Sequence, residues 1–263
     1  MTATDTTTST PVTLDRVTKE YWQKGRCTTA LDECTLEIAA GEFFSLLGPS
    51  GTGKTTLLNL LAGFERPDSG TVRVGDREVR TAGPDRAVVF QAPTLYPWLT
   101  AAGNVAEGLR HLHLSRRDRK ARALQQLSEV GLEHAAGRYP HQMSGGMAQR
   151  VGIARALAMQ PDVLVMDEPF AALDAYVRRE MQELAVRLQQ ERQVTTLFVT
   201  HSIEEALVLS DRIATMADGQ VTEIFEVDSP HPRDVTSSEF NHLRRAIADR
   251  IEAGVRAERE RVR

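Results

Sequence analysis

The chain opens on MTATDTTTSTP, residues 1–11, a threonine-rich stretch almost without apolar side chains, which can bury too little to offset the entropy of ordering. A disordered tail is expected there, with structure beginning at Val12. Across 12–45 short apolar-rich runs, VTLDRVTKEY and TALDECTLEIAAGEFFSLL, read as strands joined by turns. Within them FFSLL, 43–47, shows no alternation, as in a strand covered on both faces, and it stops abruptly at Gly48 and Pro49. The runs at 87–90, 163–166, 196–200 and 212–216 have the same character, with helix-period stretches between most of them. Covered strands alternating with helices predict an α/β core built on a largely parallel sheet.

Between Thr100 and Gln160 the period changes. LTAAGNVAEGLRHL, SRRDRKARALQQLSEVG and GGMAQRVGIARALAMQ all place apolar residues at helical spacing, which predicts a helical insertion over about 92–160. The basic run RRDRKAR, 116–122, falls at the start of an exposed helix among acidic segments and reads as a solvated face. After Gln220 a proline-containing stretch leads to EFNHLRRAIADRIEAGVRAERERVR, an amphipathic helix in a tail over 226–263 that is too short for a second domain. The main domain is thus expected over 12–225.

Composition narrows the class. A chain of 263 residues with 41% hydrophobic and 26% charged residues excludes wholesale disorder and fibrous repeats. The net charge of −4 offers no whole-protein attraction to nucleic acid or anionic lipid. Cys27 and Cys34 have no partner His or Cys at metal-ligand spacing, which argues against a zinc site or a disulfide framework. No apolar window approaches the roughly 18 residues of a membrane span, and the N-terminus lacks the order of a signal peptide. A soluble, cytoplasmic protein is expected.

One motif carries chemistry directly. Gly48, Pro49, Ser50, Gly51, Thr52, Gly53, Lys54 and Thr55 satisfy G-x-x-x-x-G-K-[ST] immediately after an apolar strand and before the helical run TLLNLLAG that starts at Thr56. Glycines let successive backbone N–H groups converge on an anion, and the helix N-terminus adds its dipole. Lys54 would bridge β- and γ-phosphates and the Thr55 hydroxyl would hold Mg²⁺. A second element, VLVMDEP at 163–169, puts Asp167 and Glu168 at the carboxyl end of a buried strand, the edge at which parallel sheets bind ligands. Asp167 would hold Mg²⁺ and Glu168 would orient and deprotonate an attacking water. A third, Ser144, Gly145 and Gly146, precedes a helical run and forms another helix start able to hold an anion. If both cradles grip one nucleotide and a single chain cannot bring them together, two chains must sandwich it.

These residues, with Gln91 after a strand, SGGMAQR at 144–150, Leu173 and Asp174, and His201 after TLFVT, resemble the ordered motif set of ABC-type ATPase subunits, from about Val12 to Met216. The resemblance implies a P-loop NTPase fold with a RecA-like core, an antiparallel β subdomain and a helical insertion. It implies an ATP sandwich of two copies in which 144–146 of one faces the γ-phosphate held by 48–56 of the other. Gln91 would contact Mg²⁺ or the attacking water, His201 the γ-phosphate and Asp174 the opposite subunit. Tyr21 matches the aromatic on which adenine stacks, with Trp22 beside it as a second candidate. Two departures occur: Met143 stands where the family has Leu, a swap of similar volume, and Thr52 lies where only backbone donors are needed.

Within the family, GPDRAVVFQ followed by LYPWLT, DEPFAALDA and VTHSIEEALVLSDRI are similar to subunits importing nitrate, sulfonates or taurine. The long C-terminal regulatory extension of sugar and polyamine importers is accordingly not expected here. The resemblance implies a permease as a separate protein, docked near Leu95, Tyr96, Pro97 and Trp98, and indirectly a substrate-binding protein, with the chain peripheral on the cytoplasmic face of the membrane and no nucleic-acid partner. For each of those four side chains, packing in the core of the helical insertion is the competing assignment. A small-molecule kinase would account for the phosphate loop but not for SGGMAQR, Asp174 or His201, and a non-catalytic partner would have no use for Glu168.

Overall fold

The computed structural model describes residues 9–261, the last four as backbone only. Two sheets form the frame. In the first, β1 (Val12–Gln23) and β2 (Arg26–Ile38) make a long antiparallel hairpin, extended by β4 (Ser69–Val74) and β5 (Arg77–Glu78) in the order β2-β1-β4-β5. The second holds β3 (Phe43–Leu47), β6 (Arg86–Val89), β7 (Val163–Asp167), β8 (Thr195–Thr200), β9 (Arg212–Ala217) and β10 (Gln220–Glu226) in the order β10-β9-β3-β8-β7-β6. All neighbours in it are parallel except β9 and β10. Every residue of β3 and β8 is buried, which is why FFSLL and TTLFVT read as unbroken runs.

Helix α1 (Lys54–Ala62) lies between the sheets. Its Leu57, Leu58, Leu60 and Leu61 pack on Leu14, Leu31 and Val72 from one side and on Leu46, Val165 and Val199 from the other. Each such leucine contributes about 1.5–3 kcal/mol by burial. The insertion consists of α2 (Ala101–Gly108), α3 (Arg116–Glu129) and α4 (Gly145–Ala158), and with α5 (Ala175–Arg192) it shares a core with Phe43, Met166 and Phe198 on the sheet. Thr100, Ser115, Ser144 and Asp174 each cap one of these helices with a side-chain oxygen accepting a backbone N–H. Arg116, Arg117 and Lys120 are exposed on α3, as a solvated face requires.

The two ends differ from the expected tails. Residues 1–8 lie outside the described residues, but 9–11 are docked: the Ser9 hydroxyl donates to the Gln193 carbonyl at 2.5 Å, Thr195 Oγ1 donates to the Thr10 carbonyl at 2.7 Å, and the Gly75 N–H to the Pro11 carbonyl at 2.8 Å. At the other end β10 crosses the 225/226 boundary, and α7 (Ser238–Arg261) packs Phe240 and Ile247 with α6 (Ile203–Leu209), Leu47 and Ile213. That end of the chain continues the core. Strands β4, β5 and β10 were not anticipated, because each is short or on an edge, with at least half its residues exposed. Cys34 is buried and Cys27 exposed, both free; desolvation pushes the Cys34 thiol up to about 11. No helix among the described residues is long and apolar enough to cross a membrane.

Candidate nucleotide-binding site

Strands β3, β8, β7 and β6 are neighbours and parallel, so their carboxyl ends share one edge. Residues 48–54 leave β3, Thr200 and His201 leave β8, Asp167 and Glu168 leave β7, and Phe90 and Gln91 leave β6. Four separated stretches of sequence thus converge where parallel sheets place their ligands.

The loop wraps the start of α1. Gly53 caps the helix with φ +99°, and a Cβ there would come within 2.3 Å of the Ala30 carbonyl oxygen, so only glycine fits. Thr52 is buried and its hydroxyl donates to the Pro49 carbonyl at 3.0 Å, a use beyond its backbone donor. Ser50, Gly51 and Thr55 are exposed, with Thr56 half-buried behind them on α1. Lys54 is 7% exposed, and its ammonium donates to the Gly48 and Pro49 carbonyls, both at 2.6 Å. Burial pushes its pKa down while Glu168 and Asp167 pull it back up. Asp167 answers in the opposite sense: burial and the Glu168 charge push its carboxyl up, and Lys54 draws it down.

Glu168 has φ +41°, a left-handed conformation uncommon for a side chain of this size, and its N–H donates to the Val199 carbonyl at 2.9 Å. His201 Nδ1 lies 3.1 Å from its carboxylate. This aims the Glu168 side chain across the strand ends toward the β8 loop. Gln91 is exposed, and the carbonyl just before it is held by the amide of buried Gln149 on α4 at 3.2 Å.

The second cradle sits elsewhere. Ser144 caps α4 through Met147 N–H at 3.3 Å, and Gly146 packs so tightly on α5 that a Cβ would meet Val177 Cγ1 at 2.5 Å. Asp174 caps the same α5, accepting from Tyr176 and Val177 N–H at 3.1 and 3.0 Å. Residues 144–146 and 174 therefore form one surface, and among the described residues no hydrogen bond or ion pair joins it to 48–55.

Tyr21 is held toward α1: its hydroxyl donates to Glu65 Oε2 at 2.6 Å, and Glu65 is in turn held by Asn59 of α1 at 2.9 Å. Burial and the Glu65 carboxylate push the Tyr21 phenol up. Trp22 is 72% exposed on the hairpin, with no ring contact among the described residues. In the loop after Gln91, Leu95 packs against the core, whereas Tyr96, Pro97 and Trp98 are more open, with the Tyr96 and Trp98 rings 5.4 Å apart. Arg155 of α4 lies over the Tyr96 ring at 5.7 Å and donates to Thr94 at 2.8 and 3.1 Å. Sequence reasoning assigned no role to Glu65, Gln149 or Arg155, whose partners Tyr21, the Phe90 carbonyl and Thr94 lie 44, 59 and 61 residues away in sequence.

Residues 31–171 match the family model described as ABC transporter. The taurine import ATP-binding protein TauB of Chromobacterium violaceum is 50% identical over 208 residues, 79% of this chain and 79% of that one. The nitrate transport protein NasD of Klebsiella oxytoca is 44% identical over 228 residues, 83% of this chain and 87% of that one. Among solved structures, a dimeric ATP-binding cassette in a post-hydrolysis state bound to ADP and Pi superposes with a TM-score of 0.76 at 35% identity, covering 83% of this chain and all of that one. A match over more than half the chain and relatives of this identity and coverage establish that the chain belongs to the ABC transporter family.

Proposed function

We propose that this chain is the ATP-binding and ATP-hydrolysing subunit of an importer of small anionic solutes, working as a pair of copies beneath a membrane permease. The observation that carries the enzymatic part is the convergence of Lys54, Asp167, Glu168, Gln91 and His201 on one sheet edge beside a glycine-shaped loop. The relatives named for taurine and nitrate support the solute class.

Residues 48–56 bind the phosphates through backbone N–H groups, and Lys54 exchanges its two carbonyl partners for β- and γ-phosphate oxygens. Glu168 orients a water against the γ-phosphorus. As the water oxygen bonds to phosphorus and the bond to the ADP oxygen breaks, Glu168 takes the proton. His201, held beside Glu168, meets the γ-phosphate. The Thr55 hydroxyl, the Gln91 amide oxygen and the Asp167 carboxylate are hard oxygen donors that suit Mg²⁺, which when bound would neutralise phosphate charge. Tyr21, fixed by Glu65, offers its ring to adenine, and it is favoured over Trp22 because only Tyr21 is tied to the helix that carries the loop. Residues 144–146 and Asp174 face the second copy and close over its nucleotide. The exposed pair Tyr96 and Trp98 supplies apolar anchors for a helix of the permease. On this reading the chain is peripheral on the cytoplasmic face, served indirectly by a substrate-binding protein and without a nucleic-acid partner.

Two variants test the chemistry. Glu168→Gln is expected to bind ATP with unchanged affinity and to hydrolyse it at least about a hundredfold more slowly, while Lys54→Ala is expected to lose nucleotide affinity. Steady-state phosphate release and equilibrium nucleotide binding measure both, and unchanged turnover in the first or wild-type affinity in the second rejects the assignment. Purification from gently solubilised host membranes should bring down an integral membrane protein.

A further inference from the structure

Glu205 is a carboxylate that the hydrolysis itself does not use, yet it is only 7% exposed. Burying an ionised group is costly unless it is paired and hydrogen-bonded. Its two oxygens go to two different elements, the end of β8 and helix α5. Oε2 accepts from the Thr200 hydroxyl at 2.7 Å, and Oε1 lies 3.5 Å from Arg178 Nε.

The first partner belongs to the histidine loop. Thr200 precedes His201, and its hydroxyl oxygen also accepts the Ser202 N–H at 3.1 Å; the Glu205 N–H returns to Ser202 Oγ at 3.2 Å. Both flanks of His201 therefore hang on groups that Glu205 orients. The second partner reaches the loop between Glu168 and Asp174: Arg178 donates to the Leu173 carbonyl at 2.8 Å and to the Phe170 carbonyl at 3.4 Å. Burial pushes the Glu205 carboxyl up, while Thr200, Arg178 and His201 work against that shift and favour the charged form.

We propose that Glu205 is a positioning residue that joins the loop carrying His201 to the loop carrying Asp174, so that the two take up their working places together. The proposal rests on the two-copy reading above, in which His201 meets the γ-phosphate of its own chain's nucleotide and Asp174 meets the other copy. Moving either loop alone stretches either the buried, charge-assisted bond from Thr200 or the ion pair with Arg178. Moving both together leaves them intact. The phosphate loop leaves β3 and has no bond to Glu205, so nucleotide affinity is not expected to depend on it.

ATP hydrolysis by the full chain, measured against ATP concentration, tests this in Glu205→Gln, Arg178→Gln and the double variant. The amide oxygen that Glu205→Gln introduces can still accept from Thr200, but it has no charge for Arg178. The wild type should show a Hill coefficient above one, as two linked sites require. Each single variant should lower kcat about tenfold and bring the Hill coefficient toward one, with nucleotide affinity kept within about twofold. The double variant should lose no more than either single, because both remove the same link. Wild-type kcat and cooperativity in both singles, or effects that multiply in the double, overturn the proposal. Should Glu205→Gln fail to fold, Arg178→Gln decides, since the Arg178 side chain is 37% exposed and its loss leaves no large cavity. A wild type that hydrolyses ATP without cooperativity overturns the two-copy reading itself, and the proposal with it; a cooperative wild type with unaffected variants overturns the proposal alone.

Discussion

Gly53 shows how tightly a single position can be specified. It combines φ +99° with a neighbouring carbonyl oxygen that would sit 2.3 Å from a Cβ, so alanine there meets a strained backbone and a collision that only movement of the hairpin relieves. Gly53→Ala is expected to cost about 1–3 kcal/mol from the backbone conformation alone and to weaken nucleotide binding at least about tenfold; a urea midpoint and a nucleotide titration at wild-type values would refute it. The residues legible in the sequence are of this kind. Lys54, Thr55, Asp167 and Glu168 stand in short strings, and the anion binding and water activation proposed for them would need fixed types at fixed local spacing. Glu205 and Asn104 were not legible, since one buried carboxylate or amide looks like any polar residue until folding shows which groups it is buried against.

Secondary structure was most readable where burial is two-sided. The unbroken apolar runs of β3, β7 and β8 and the helical period of α2, α3 and α4 identified those elements and their order. Edge strands β4, β5 and β10 escaped because half-exposed positions dilute the signal. The loop between β6 and α2 shows how an irregular segment acquires a shape: buried Asn104 accepts the Tyr96 N–H at 2.8 Å and donates to the Tyr96, Leu99 and Thr100 carbonyls at 3.1–3.2 Å. Asn104→Ala leaves the Tyr96 N–H and the Leu99 carbonyl without that partner, while the Tyr96 and Thr100 carbonyls keep a backbone N–H each, and should cost about 1–3 kcal/mol. Because it frees Tyr96 and Trp98 rather than the phosphate loop, the isolated chain should keep its ATPase rate within about twofold while stimulation by the reconstituted permease falls. Equal stimulation in the variant would show that this loop does not carry the contact.

At the level of the assembled molecule, if the 144–146 cradle and residues 48–55 grip one nucleotide, their separation within one copy calls for a second. Glu168→Gln, which holds ATP unhydrolysed, is accordingly expected to elute as a dimer with ATP and Mg²⁺ and as a monomer without nucleotide, read by light scattering during gel filtration. A monomer under both conditions would exclude the sandwich. The amino acid order was enough to reveal an α/β fold, the phosphate loop, the acidic pair and the family, because those signals are local: a residue's neighbours in the chain are the ones its chemistry uses. Three-dimensional packing alone settled the rest. The strand order β3-β8-β7-β6 is not the chain order, so nothing along the chain says that Lys54, His201, Glu168 and Gln91 share an edge. Nor does it say that residues 9–11 dock on the domain, that α7 packs on its core, or that Glu205 is buried, since burial depends on which segments arrive to cover a side chain.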